Sequence, residues 1–415
     1  MKDFNIALAA VSFLLLASGL VYKKIKRSIG SEPILATLAG ILLGPQVLNL
    51  LDMQDWGSKE TIMDVACRLT IGMALMSTAL RIPKPYLKEN THLQVLLVLV
   101  GMVGMCIFST LLLKLIFGFD WLVCLLIGAV ITPTDPVAAA TIVAGETAKK
   151  LLPGNLRNGL SFEAGANDGL AFPFVFLPLL LIQKPGHALQ EWLLKPVLWE
   201  TGGGILLGLL IGYVAGKLLV KARKANWMSQ ASLLSFSMAL GFFVLSFLEL
   251  LHCNGIVGVF AAGYAAKLVL SKEEDVEQDN VQEAMERIFT IPVFLLFGLI
   301  LPWHDWLAFG WKAIVVVAAV LLLRRLPVFL LMRPFLRKIH SWPDVLMAGW
   351  FGPIGVAAMF YMMICLRKLG MQEVWIVGSL IVFGSTLVHG VTSYPLAKLY
   401  QKKTGFRPDP EQGDA

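Results

Sequence analysis

Apolar residues fall in runs of about 20 along most of this chain, separated by short polar breaks. That is the length a helix needs to cross a bilayer at about 1.5 Å per residue. Hydropathy, read together with Gly, Pro and charge punctuation, predicts about 13 spans. They lie near residues 4–22, 33–51, 61–80, 93–117, 121–143, 155–182, 197–216, 230–251, 254–270, 286–301, 311–331, 343–365 and 374–397. Two of them contain helix breakers. The fifth holds ITPTDPVAA, residues 131–139, in which Pro133 and Pro136 flank Thr134 and Asp135. The twelfth holds GWFGPIGV, residues 349–356, with Gly352, Pro353 and Gly355.

The distribution of basic residues tests the count. Connections after odd-numbered spans carry Lys23, Lys24, Lys26 and Arg27; Arg81, Lys84 and Lys88; Lys149, Lys150 and Arg157; Lys217, Lys221, Arg223 and Lys224; Lys267, Lys272 and Arg287; Arg333, Arg337 and Lys338; and Lys398, Lys402, Lys403 and Arg407. These are 24 of the 35 basic residues, and eight lie on the opposite side. By the positive-inside rule the N-terminus lies outside and the C-terminus, with a short tail over residues 398–415, in the cytoplasm. The positive cluster follows the first apolar run instead of preceding it, so residues 4–22 read as a retained span and not as a cleaved signal. The two interrupted spans are seven apart, an odd offset. If they correspond, residues 4–182 and 230–397 are inverted six-helix repeats joined by a linking span at 197–216, and paired interrupted spans point to a transporter's binding site.

Composition agrees with a single polytopic unit over residues 1–415. The chain is 57% hydrophobic and 15% charged, with a mean hydropathy of +0.73, far from a soluble domain. The fold class is therefore all-α and polytopic, with membrane lipid as its surroundings. A net charge of +7 is spread among apolar spans without nucleic-acid motifs, so it reads as topology and no nucleic-acid partner is expected. Five cysteines, none in a CxxC spacing, read as core residues. Gly204, Gly208, Gly212 and Gly216 recur every fourth residue in the seventh span, a smooth face for helix packing. No cofactor motif is present, and no enzyme activity is expected.

Ionisable groups deep in a bilayer cost about 2.5 to 3.5 kcal/mol each on the insertion scale. Asp168 lies about 13 residues into the sixth span and Asp135 about 14 into the fifth, roughly 20 Å from opposite surfaces at helical rise. Both reach the midplane. Glu163 is shallower, at the depth of Arg324 on the eleventh span, and either Arg324 or Arg325 could pair with it. On a helix Glu163 and Asn167 share a face, while Asp168 points about 100° from Asn167. Asp168 has no base in its own stretch and is free to hold a proton or a cation in competition.

Thr134-Asp135-Pro136 in one span, followed by Glu163-x-x-x-Asn167-Asp168-Gly169 in the next, resembles the paired signature of the monovalent cation/proton antiporters, in their NhaP-type sodium/proton exchanger branch. TLAGILLGP (37–45), NGIVGVFAAG (254–263), FLLFGL (294–299) and RRLPV (324–328) are similar to family segments in the same order. The resemblance implies the sodium/proton antiporter fold, with unwound crossing helices at the fifth and twelfth spans, in a homodimer of the cell (inner) membrane. It implies a secondary antiporter that exchanges Na+, Li+ or K+ for H+ by alternating access. Asp168 would be the exchanging carboxylate and Asn167 its support. Thr134 would be an oxygen ligand to the monovalent cation beside Asp168, Asp135 would balance positive helix ends, and Glu163 would pair with Arg324. An Asn-Asp pair resembles the electroneutral branch. Two positions depart from the family pattern: Ile354 stands where an arginine is usual, and Ala164 where a serine is frequent.

Two other classes use the same residues. An uncoupled cation or proton channel would pass flux without a counter-ion. An intramembrane hydrolase would need Asp135 and Asp168 as a coupled dyad, and its GxGD loop is missing, since Asp168 follows Gly165-Ala166-Asn167. His389 in the last span reads as a packed residue, with a proton relay or pH sensor as the alternative.

Overall fold

In the computed structural model of this chain the described residues are 2–21, 31–138, 140–270, 276–336, 338–339 and 341–407. Lys23, Lys24, Lys26, Arg27, Lys272 and Arg337, used above as topology markers, lie outside them, as does 408–415 of the tail. Among the described residues all regular structure is helical. The main helices are α1 (Lys2–Leu20), α2 (Glu32–Leu43), α3 (Lys59–Arg81), α4 (Thr91–Phe117), α5 (Trp121–Val130), α6 (Gly154–Gln183), α7 (Ala188–Lys224), α8 (Gln230–Leu250), α9 (Gly255–Val269), α10 (Val276–Leu299), α11 (Trp311–Leu323), α12 (Trp342–Trp350), α13 (Val356–Leu369) and α14 (Gln372–Thr404). Every segment read from hydropathy contains helix, and among the described residues seven helices are long and apolar enough to cross a bilayer by themselves.

The polar breaks terminate these helices in identifiable ways. Ser58, Asp120, Ser229, Asn254 and Ser341 accept hydrogen bonds from the first backbone N–H groups of α3, α5, α8, α9 and α12, which have no partner inside the helix. Gly118, Gly370 and Gly405 end α4, α13 and α14 in the left-handed conformation that glycine adopts without a steric cost. Boundaries differ from the hydropathy reading where proline intervenes. The second segment stops being helical at Gly44, just before Pro45. The eleventh breaks after Leu323 and resumes as a short helix, Leu326–Met332, because Pro327 has no N–H to continue α11. The break falls on Arg324 and Arg325.

Two groups of helices pack as bundles. In one, α7 runs along α9, α9 and α10 flank α3, α8 lies against α3 and α9, and α1 and α2 lie on α10. In the other, α4 and α5 pair, α6 lies on α5, α11 contacts α4 and α14, and α12 and α13 pack on α14. The bundles meet where α13 and α6 lie against α3, and where α6 touches α9. The four-residue glycine stripe of α7 faces Asn254, Gly258, Ala262 and Ala266, and a Cβ at Gly208 or Gly212 would run into the α9 backbone. Close backbone approach is therefore what the stripe permits. The five cysteines are buried.

Candidate functional site

The two interrupted segments lie against each other. Between α5 and the next helical turn, residues 131–138 are not regular helix, and between α12 and α13 the chain is likewise without regular structure over 351–355. They touch directly: Asp135 N donates to Pro353 O at 2.8 Å. Each interruption exposes backbone groups that a continuous helix would pair, N–H at one broken end and C=O at the other, so partial positive and negative charges accumulate there.

One carboxylate meets the positive ends. Asp135 Oδ1 accepts from Val137 N at 2.8 Å and Ala138 N at 3.3 Å, and Oδ2 accepts from Val356 N at 3.0 Å across the gap. Gly355 makes this possible, because a Cβ there would overlap the Asp135 carboxylate. One guanidinium meets the negative ends. Arg324 Nη1 donates to Ile131 O and, at 3.1 Å, to Thr132 O, while Nη2 donates to Gly352 O. A side chain with several donors in a rigid fork can bind carbonyls of both segments at once.

The buried ion pair is Glu163–Arg325, not Glu163–Arg324. Arg325 grips Glu163 with both terminal nitrogens, Nη2 to Oε2 at 2.6 Å, and its Nε donates to Ala348 O at 2.8 Å. Its guanidinium also stacks 4.4 Å from the centre of the Phe329 ring. Sequential helical residues project about 100° apart, so two adjacent arginines at the end of α11 cannot serve one partner. The break at Pro327 directs the first to the crossing and the second to α6.

Asn167 and Thr134 exchange hydrogen bonds: Asn167 Nδ2 donates to Thr134 Oγ1 at 2.8 Å, and Thr134 N donates to Asn167 Oδ1 at 3.2 Å. The first unwound segment is thereby held to α6. The next residue, Asp168, differs from every charge around it. Its Oδ1 is buried and has no hydrogen-bond partner among the described residues, whereas Glu163, Asp135, Arg324 and Arg325 are all engaged. Thr134, Asp135, Glu163, Asn167, Asp168 and both arginines are 3% exposed or less.

Sequence reasoning missed several supports. Tyr361 donates its hydroxyl to the Asp168 carbonyl at 2.5 Å. Ser385 Oγ accepts from Ile354 N at 2.8 Å. His389, read as a packed residue, is buried with Nε2 3.0 Å from Trp350 O and Nδ1 3.1 Å from Ser385 O. Ser385 and His389 stand four apart on α14, so one helix face holds both sides of the second interruption. A lone Tyr, Ser or His in an apolar run carries no local signal of this; the contacts join segments remote in sequence.

A sequence profile described as "Sodium/hydrogen exchanger, transmembrane" matches residues 10–399. The chain belongs to the sodium/hydrogen exchanger family. Among curated members it is 34% identical over 350 residues to a Na(+)/H(+) antiporter of Saccharomyces cerevisiae, covering 82% of this chain and 35% of that protein. A Na(+)/H(+) antiporter of Schizosaccharomyces pombe is 27% identical over 398 residues, 89% of this chain and 85% of its own length. A K(+)/H(+) antiporter NhaP2 of Shewanella sp. (strain MR-4) is 27% identical over 307 residues, 71% of this chain and 50% of its own. The chain thus spans about a third to a half of the length of several of its curated relatives. These members are named as transporters, not enzymes. The fold matches the sodium proton antiporter MjNhaP1 from Methanocaldococcus jannaschii with a TM-score of 0.68, covering 97% of each chain at 17% identity. The sodium/proton antiporter fold that the resemblance implies is therefore the fold of this exchanger-family chain, which is a multi-pass membrane protein.

Proposed function

We propose that this chain is a secondary antiporter that exchanges Na+ for H+ at Asp168, one ion for one, with Li+ and K+ as competing substrates. The reading is carried by one observation: Asp168 alone among the charged groups at the crossing has a buried carboxylate oxygen with no hydrogen-bond partner among the described residues. A buried carboxylate without a base must take up a proton or a cation, since an uncompensated charge there is costly. Deprotonation admits the cation, and protonation expels it. Hard oxygen ligands suit Na+, Li+ or K+. Thr134 Oγ1 supplies one in addition to Asp168, while Asn167 holds that hydroxyl in place.

Alternating access in this reading uses the two bundles. The group carrying the crossing, with α6, moves against the group of α3 and α7–α10, exposing the one site to each side in turn. Residues 4–182 and 230–397 act as inverted repeats, the N-terminus lies outside the cell membrane and the C-terminus inside, and two copies associate as a homodimer, as the resemblance implies. The curated relatives named for Na+/H+ and K+/H+ exchange support a monovalent cation as the second substrate.

The test is proton flux followed by a pH-sensitive dye in inside-out vesicles on addition of Na+, Li+ or K+. Wild type moves protons only when a cation is supplied, and Asp168→Asn does not respond. Flux without a counter-ion would identify a channel. Equal exchange by Asp168→Asn would remove the site assignment, and acceleration by an imposed membrane potential would remove electroneutrality.

A further inference from the structure

Helix α6 carries Asn167 and Asp168 and continues through Pro173 to Gln183. Proline has no N–H, so the carbonyl four residues before it, that of Gly169, has no helical donor. This unpaired carbonyl belongs to the residue that follows Asp168. A donor reaches it from the other bundle: Asn254 Nδ2 lies 3.1 Å from Gly169 O.

Asn254 is itself held on every other polar side. Its Oδ1 caps α9 by accepting from Ile256 N at 3.0 Å and Val257 N at 3.2 Å, and its own N–H donates to Glu200 O at 2.8 Å. The two helices touch at this point, since a Cβ at Gly169 would collide with the Val257 backbone. One residue earlier, the Asp168 carbonyl is held by Tyr361 of α13. The two successive backbone carbonyls that follow the Asp168 Cα are thus gripped from both bundles, by Tyr361 within its own and by Asn254 from the opposite one.

We propose that Asn254 is a positioning residue for ion exchange: its carboxamide replaces the helical donor that Pro173 removes and ties the turn of α6 bearing Asp168 to α9. The tether rests on Asp168 being the exchanging carboxylate. Without it the Gly169 carbonyl is left unpaired in a buried place, the turn relaxes, and the distance between Asp168 and Thr134 is no longer fixed. Cation affinity suffers before folding does.

The experiment uses Asn254→Ser and Pro173→Ala, singly and together, in the full chain. Serine keeps the cap on α9 but has no donor that reaches α6. Alanine at 173 restores the backbone N–H, which pairs Gly169 O within the helix and makes the tether redundant. In vesicles, Asn254→Ser raises the apparent KM for Na+ about tenfold with little change in maximal rate. Pro173→Ala alone exchanges like wild type, and adding Asn254→Ser to it leaves KM within about twofold, because the orphaned carbonyl is the term removed. An unchanged KM in Asn254→Ser, the same rise in both backgrounds, or an inactive Pro173→Ala overturns the proposal. If Asn254→Ser does not accumulate, Asn254→Asp, which also keeps the cap acceptor and lacks the donor, is measured in the same two backgrounds with the same expectations. Asp168→Asn run alongside separates the readings: exchange surviving in that variant removes the site, whereas abolished exchange with an unaffected Asn254→Ser removes only the tether.

Discussion

Breaking the Glu163–Arg325 pair measures which arginine the buried acid needs. Both side chains are fully buried, and the carboxylate is held by two guanidinium nitrogens. Removing one partner of such a pair strands the other charge, at about 3 to 5 kcal/mol. With an unfolding entropy of roughly 2.1 cal/mol/K per residue, a chain of 415 residues loses about 3 to 6 °C of Tm for that penalty. Glu163→Leu and Arg325→Met each show this loss when thermal midpoints are followed by size-exclusion of the fluorescently tagged protein in detergent. The double variant Glu163→Leu/Arg325→Met recovers most of it, because two apolar side chains leave no stranded charge. The same cycle built on Glu163 and Arg324 shows little coupling, since Arg324 spends its donors on the carbonyls of Ile131, Thr132 and Gly352. Larger coupling of Glu163 to Arg324 than to Arg325 would refute the assignment.

Gly355→Ala drives a methyl group into the Asp135 carboxylate; at about 1 to 3 kcal/mol for overpacking, exchange is lost at normal membrane abundance, and wild-type flux would show that the crossing can open. Ser385→Ala leaves the Ile354 N–H without its acceptor, a penalty of about 1 to 3 kcal/mol that appears as a slower maximal rate, while Ser385→Thr keeps the acceptor and the rate. Gly212→Leu separates α7 from α9 and lowers the thermal midpoint by more than Leu at the exposed Ala225 just past the end of α7, which a melting comparison of Gly212→Leu with Ala225→Leu checks.

Much of this molecule is legible in its sequence because the bilayer leaves few choices. Backbone groups in lipid must be paired within helices, so apolar length with Gly, Pro and charge punctuation located the main helical segments. Departures from that rule, Pro133, Pro136, Gly352, Pro353 and Gly355, were visible as breakers and lie in the two non-helical segments that touch. Asp168 stood out for the lack of a base, which is a local property. The choice between Arg324 and Arg325 was not local. It depends on where α11 ends, set by Pro327, and on segments more than 150 residues away in sequence that carry Glu163 and Ile131. Asn254, Tyr361 and Ser385 are ordinary polar residues in their own segments. Their roles exist only once distant backbone carbonyls and amides, freed by proline or unwinding, are brought within reach.

The crossing also explains how the chain does without a basic side chain at position 354. Broken helix ends carry roughly half a unit charge each, and here two positive ends share Asp135 while two negative ends share Arg324. Ile354 takes part only through its N–H, bound to Ser385. The balance therefore depends on where the guanidinium sits, and not on which segment supplies it. Arg324→Met unpairs three carbonyls, at about 1 to 3 kcal/mol each, and leaves the Asp135 charge without its counterpart. It loses both exchange and thermal stability. Arg324→Lys keeps the charge, but one ammonium lacks the planar fork that spans the two segments, so it recovers stability only in part. Removing both charges, in Arg324→Met/Asp135→Asn, is less damaging to the thermal midpoint than the sum of the single changes, because the residual field at the crossing is then symmetric. Strictly additive losses would show that the two charges act independently, and that the ends of the crossing helices are not balanced as a unit.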